Sequence, residues 1–230
     1  FAHILENIPI VIRENELIVG SATIAPRGCQ VFPEYSYEWL LSELDTVSTR
    51  AADPFYISEE TKKELREIFP WWKGKTTSDL AKANMSKEAY EAFVEHSIFT
   101  PGNYFYNGIG HVCVDYGKVL KIGYRGIIAE AEAALSKLDV SDGDYVSRSN
   151  FLTAVIESCE AVIGYARRYS ALAKELALKE SNPERKRELE IISKNCVRVP
   201  EFGATSFYEA CQAFWFIQLL LQVESSGHSI

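Results

Sequence analysis

Hydrophobic positions along the chain fall into several rhythms, and each predicts a different element. Phe1-Ala2-His3-Ile4-Leu5 opens in helical periodicity and predicts a helix ending near Asn7. Ile8-Pro9-Ile10-Val11-Ile12 and Glu16-Leu17-Ile18-Val19-Gly20 are short β-prone runs, and they predict a hairpin turning at Glu14-Asn15. A loop with Pro26, Gly28 and Pro33 follows, its aromatics Phe32, Tyr35, Tyr37 and Trp39 clamping it to a core, and Ser36 is placed to cap a short helix through Leu44. Ser58 before Glu59-Glu60 starts a charged helix to about Phe69 that Pro70 should stop, and Ser86 caps another to about Ser97.

Thr100 to Gly126 is rich in glycine and irregular, and such loops commonly hold binding groups. Asp115 caps the next helix, in which Val119, Leu120, Ile127, Ile128, Ala131, Leu135 and Leu138 keep helical spacing. Gly123 and Gly126 inside it imply close packing, since each costs about 1 kcal/mol relative to Ala. After the turn Ser141-Asp142-Gly143-Asp144, a helix from about Asn150 to Lys179 presents Phe151, Val155, Cys159, Val162, Ile163, Ala166 and Tyr169 on one face. Asn182-Pro183 opens a charged helix that ends before Pro200, and its charge run is expected to be a solvated face. The last helix, with Ser206 and Glu209 at capping-box spacing, is apolar from Ala210 to Val223 and is expected to be buried on all sides. It delivers the polar tail Glu224-Ser225-Ser226-Gly227-His228-Ser229. The fold class expected from these patterns is mainly α with one or two short β hairpins.

Composition narrows the function. The 230 residues carry a formal charge of -8, which argues against nucleic acid or an anionic membrane as partner. The longest apolar stretch is interrupted by Gln212, Gln218 and Gln222, so no membrane span is expected. The chain opens without Met and stops after an apolar helix, which suggests an internal segment of a longer protein. Cys29, Cys113, Cys159, Cys196 and Cys211 are scattered without a CxxC pattern, so buried, reduced thiols of a cytoplasmic protein are expected and no metal site.

Of the four histidines, His3 and His96 sit on helices without polar company. His111 and His228 each follow a glycine at the edge of a regular element, where the backbone can come close to a ligand. An imidazole, with a reference pKa near 6.5, can give or take a proton at neutral pH. Ser229 lacks a hydrolase elbow, and neither a dinucleotide fingerprint nor a phosphate loop is present.

The combination of Phe1-Ala2-His3-Ile4-Leu5-Glu6-Asn7-Ile8-Pro9-Ile10, Gly110-His111-Val112-Cys113-Val114-Asp115-Tyr116, Ser206-Phe207-Tyr208-Glu209-Ala210-Cys211-Gln212 and Glu224-Ser225-Ser226-Gly227-His228-Ser229 resembles the glycyl radical enzymes. The likeness is greatest to the B12-independent glycerol and propane-1,2-diol dehydratase branch, and it runs along essentially the whole chain. It implies that residues 1–230 are an internal segment of the pyruvate formate-lyase-like domain with no separate second domain, the helical portion of a ten-stranded α/β barrel. It also implies radical elimination of water from a diol to give an aldehyde. In that reading His111 protonates the departing hydroxyl, while His228 and Ser229 hydrogen-bond the substrate. The imidazoles of His111 and His228 should then face one cavity within about 10 Å of each other, each in reach of a three-carbon molecule.

The resemblance further implies that no cofactor binds within this segment. The thiyl cysteine and the radical glycine lie outside it, so the segment alone should be inactive. An S-adenosylmethionine and iron-sulfur activating enzyme is the implied protein partner, with a homodimer as the assembly and the cytoplasm or a bacterial microcompartment as the location. Carbon-nitrogen or carbon-sulfur cleavage, of choline or isethionate type, and a non-catalytic helical scaffold are the alternatives.

Overall fold

The computed structural model describes residues 1–25, 28, 30–99 and 112–225, the side chains of residues 224 and 225 excepted. The elements in chain order are α1 (Ala2–Asn7), α2 (Pro33–Glu43), α3 (Glu59–Trp72), α4 (Thr77–Ala83), α5 (Lys87–Tyr90, continued as a π turn Glu91–Glu95), α6 (Tyr116–Leu135), α7 (Tyr145–Lys179), α8 (Pro183–Arg198) and α9 (Phe207–Ser225). They form two compact units, Gln30–Gly110 and Phe1–Cys29 with His111–Ile230.

Among the described residues there is no strand, so the one or two short β hairpins expected from the sequence are not found there; residues 8–20, where one was expected, carry no strand. Residues 8–20 instead form a strap whose backbone is paired by side chains of three helices. Val19 is fully buried, and both of its backbone groups must therefore be satisfied. The Gln212 carboxamide does this alone: its Oε1 accepts from the Val19 N–H at 2.9 Å and its Nε2 donates to the Val19 carbonyl at 2.7 Å. An amide carries donor and acceptor on one end, so it can stand in for the edge of a neighbouring strand. Arg168 donates to the carbonyls of Leu5 (2.5 Å) and Ile8 (2.8 Å), and Arg185 to those of Arg13 (2.9 Å) and Glu16 (3.0 Å). Tyr208 donates to Leu17, Trp215 to Gly20 (2.9 Å), and the Tyr169 hydroxyl accepts from the Ser21 N–H (3.0 Å). A lone two-stranded hairpin is marginal in water. Laying Ile8, Ile10 and Ile12 on the core while the helices satisfy the backbone is the more stable outcome.

That core lies on α7, whose 35 residues run about 52 Å at 1.5 Å per residue and pack against α1, α6 and α8. Its centre is an aromatic cluster of Tyr165, Tyr169 and Phe216, with ring centroids 5.3–6.0 Å apart and tilted or edge-on geometry. Each such ring buries on the order of 150–250 Å², worth roughly 4–6 kcal/mol before ordering costs. Phe151, assigned from its spacing to the apolar face of α7, is largely exposed, since the buried stripe begins at Cys159.

Arg185, in the charge run of α8, is not solvated, because it ties the strap to that helix. Nor is α9 buried on all sides within the segment: Ala213, Phe216, Ile217 and Leu220 form its buried stripe, whereas Phe207, Phe214 and Trp215 keep 86%, 45% and 36% of their surface exposed.

In the second unit, Leu40, Leu44, Leu65 and Phe69 form a small core with Tyr37 and Ile57 packed on it. Here α2 starts at Pro33, in the first-turn position that suits proline, and Ser36 donates to the Phe32 carbonyl (2.7 Å) rather than capping. Pro70 does not stop α3, which continues to Trp72. Its ring removes one N–H from the last turn, a tolerable loss where buried Phe69 anchors the preceding residue against Tyr37.

Candidate active site

The described residues build the frame from which the candidate site residues are reached by sequence. α6 begins four residues after Val112. The Tyr116 N–H turns back to the Val114 carbonyl (2.9 Å), and the Asp115 carboxylate accepts from the Lys118 N–H (3.0 Å), as expected of a cap. The Tyr116 ring lies on Phe214 of α9 with centroids 4.7 Å apart, and its hydroxyl donates to Gln218 Oε1 at 3.3 Å. Burial pushes the Tyr116 phenol above its ordinary pKa, so it remains a donor at neutral pH.

Seven residues into α6, Gly123 breaks the helix with φ 65° and ψ 179°. There the connection from α8 to α9 docks directly on the α6 backbone. Tyr124 and Arg125 N–H groups donate to the carbonyls of Pro200 and Glu201 (2.9 Å each), and the Ala204 N–H donates to Leu120 (2.9 Å). A Cβ on Gly123 would sit 2.3 Å from the Glu201 carbonyl oxygen, and one on Gly203 would sit 2.3 Å from that of Lys121. The close packing implied by the glycine at 123 is therefore found, backbone against backbone.

Beside this contact the buried Glu201 carboxylate receives Arg125 (2.9 Å) and Arg167 (2.7 Å), while Arg125 also reaches Glu160 (2.6 Å). Burial pushes the Glu201 carboxyl up, but the bonds from the two arginines outweigh it and hold the group below its usual range. At the start of α9, Ser206 Oγ accepts from the Glu209 N–H (3.2 Å), and Glu209 accepts from the Thr205 N–H (2.6 Å) and hydroxyl (2.8 Å). These contacts fix the entry of α9.

Along α9, Trp215, Leu219 and Gln222 face a half-open cavity of about 440 Å³ that Arg13 of the strap and Ser21 and Thr23 just after it also line. The Arg13 guanidinium is held by Glu16 (2.6 Å) and the Ile24 carbonyl (3.1 Å), so its charge is already answered inside the fold.

The three residues singled out from the sequence, His111, His228 and Ser229, lie outside the described residues, as does Cys29. His3 shares a hydrogen bond with Asn7 (3.3 Å), and His96 lies exposed after the π turn. Cys159 and Cys196 are buried, and burial pushes their thiols up to about 11 and about 12. Such thiols stay protonated and unreactive. Cys113 is exposed, contrary to the expectation of burial. Among the described residues no group of three His, Cys, Asp or Glu side chains is placed to hold a metal ion. No described helix is long and apolar enough to cross a membrane.

Three residues that hold this frame were not singled out in the sequence: Tyr116, Gln212 and Gln218. The signal available was the set of amides in an otherwise apolar helix, where each buried polar group needs a partner.

The chain belongs to the pyruvate formate lyase-like family, which matches over residues 1–230. A solved structure describing 1,2-propanediol dehydration in Roseburia inulinivorans is 56% identical with a TM-score of 0.93, over 99% of this chain and 27% of that one. The glycerol-bound B12-independent glycerol dehydratase from Clostridium butyricum is 54% identical with a TM-score of 0.94, over 100% of this chain and 29% of that one. The (2S)-3-sulfopropanediol dehydratase of Klebsiella oxytoca is 37% identical over 100% of this chain and 28% of its own length. The chain thus spans less than a third of the relatives it matches.

Proposed function

We propose that residues 1–230 are the diol-binding segment of a glycyl radical dehydratase that eliminates water from propane-1,2-diol or glycerol. The observation that carries this reading is the identity of 56% and 54% to two proteins whose solved structures concern those diols, over 99–100% of this chain. The radical glycine and the thiyl cysteine belong to the remainder of the protein, and a separate S-adenosylmethionine-dependent activating enzyme installs the radical. A homodimer in the cytoplasm or in a microcompartment goes with the same reading, as does treatment of the segment as one piece of a single domain.

Within this segment, His228 and Ser229 hydrogen-bond the two hydroxyls and set the orientation of the diol. His111 gives a proton to the hydroxyl that leaves. Hydroxide is a poor leaving group, since water has a pKa of about 15.7 in bulk. A positioned acid converts it to water and contributes roughly 10²–10⁴ in rate.

The test is an anaerobic assay of the activated full-length protein against propane-1,2-diol and glycerol. The expected result is stoichiometric aldehyde from at least one diol. Radical-bearing protein that turns over neither diol, but releases amine from choline or sulfite from isethionate, would replace this reading by the lyase alternative.

A further inference from the structure

We infer that the edge of the strap turned away from Gln212 is a docking site for an extended stretch of the same polypeptide from outside residues 1–230, which joins it as a strand joins a sheet. The inference is independent of the diol chemistry and rests on the backbone groups of residues 17–22. In an extended backbone the N–H and C=O of one residue point to one edge, and those of the next residue to the other. One edge is answered from within the fold. Tyr208 donates to the Leu17 carbonyl, the Gln212 amide takes both groups of Val19, and the hydroxyls of Tyr169 (3.0 Å) and Tyr165 (3.4 Å) take those of Ser21. On the alternate residues, the N–H and C=O of Ile18 and of Ala22 and the N–H of Gly20 have no partner among the described residues. Only the Gly20 carbonyl is taken, by Trp215 (2.9 Å). Ile18, Gly20 and Ala22 line the half-open cavity of about 440 Å³ together with Trp215, Leu219 and Gln222 of α9.

Solvent is a poor partner for this edge. Exposed edges are usually blunted by lysine, proline or an inward charge, whereas Ile18, Gly20 and Ala22 are neutral and half-buried. The nearest charges, Arg13 and Glu16, are spent on each other (2.6 Å) and do not repel a neutral backbone. Free donors and acceptors on alternate residues are matched by another backbone, with specificity left to the pockets between them. From Ile18 to Ala22 the edge runs about 13 Å, enough for a strand of about five residues. The occupant is the remainder of the chain. Residues 1–230 cover only 27–29% of the solved relatives, so most of such a polypeptide is tethered beside this edge at high effective concentration, against which a separate molecule would have to compete.

The test is hydrogen–deuterium exchange of the full-length protein, resolved to single amides. The N–H groups of Ile18 and Ala22 should exchange at least about 100-fold more slowly than in an unstructured peptide, alongside those of Val19 and Ser21. Exchange of Ile18 and Ala22 at peptide rates, while Val19 and Ser21 stay protected, would overturn the inference. Protection that is lost on dilution would overturn it too, because the strand would then come from a second copy. The crystal structure of the full-length protein reads the partner itself: a backbone N–H and a backbone C=O from outside residues 1–230 should lie within about 3.2 Å of the Ile18 carbonyl and N–H. Side chains or water in their place would contradict the docked strand.

Discussion

Replacement of His111 by Ala in the radical-bearing full-length protein should lower kcat for diol dehydration by about 10²–10⁴-fold, the usual contribution of a positioned acid. The loss should fall on kcat, because a proton given to the leaving hydroxyl matters only as its carbon-oxygen bond breaks. His228→Ala should behave differently. A residue that holds a hydroxyl in both the bound diol and the transition state contributes uniform binding, so its removal should raise KM more than it lowers kcat. A His111 variant that dehydrates at the parent rate, with radical content intact, would remove that residue from the chemistry.

Gly123→Ala should be strongly destabilising, costing about 3–5 kcal/mol. With φ 65° and ψ 179°, the residue occupies a region that glycine alone tolerates. The added methyl would also sit 2.3 Å from the Glu201 carbonyl oxygen and 2.6 Å from two backbone atoms of Phe202. Relief requires the 200–204 connection to lift from α6, breaking the bonds from Tyr124 and Arg125 and disturbing the Glu201 pairs with Arg125 and Arg167. The natural control is Gly164, exposed on α7 with open space around it, where Ala should be neutral or should stabilise by up to about 1 kcal/mol. Thermal melts of the two full-length variants should diverge, with Gly123→Ala falling by several degrees. Equal melting temperatures would mean that the contact at Gly123 yields without cost.

Helix starts were legible because a cap is local chemistry. Ser58, Ser86, Asp115 and Asn182 each accept a backbone N–H of their own first turn, at 3.1, 3.2, 3.0 and 2.9 Å. The strap was not legible, since the β-branched pattern of residues 8–20 reports an extended backbone and not what that backbone pairs with. Its partners are Gln212, Arg168 and Arg185, more than 150 residues away in the chain, and no local pattern names them. Pro70 misled for a related reason, because the tertiary anchor at Phe69 carries α3 two residues past it. The glycines divide in the same way: Gly123 marks a true close approach, whereas a Cβ at Gly126 would meet only the side chain of Ile122 in its own helix. For the site, the sequence pointed to His111, His228 and Ser229 through the two Gly-His pairs and the family resemblance. The anchoring Tyr116 escaped notice because a tyrosine at a helix start carries no pattern of its own.

The most direct test is the crystal structure of the full-length protein with propane-1,2-diol bound. The imidazoles of His111 and His228 should face one cavity, each with a ring nitrogen within about 3.2 Å of a diol hydroxyl and with Ser229 on the hydroxyl that stays. Imidazoles on opposite faces of the segment, or a diol held without them, would contradict the shared site.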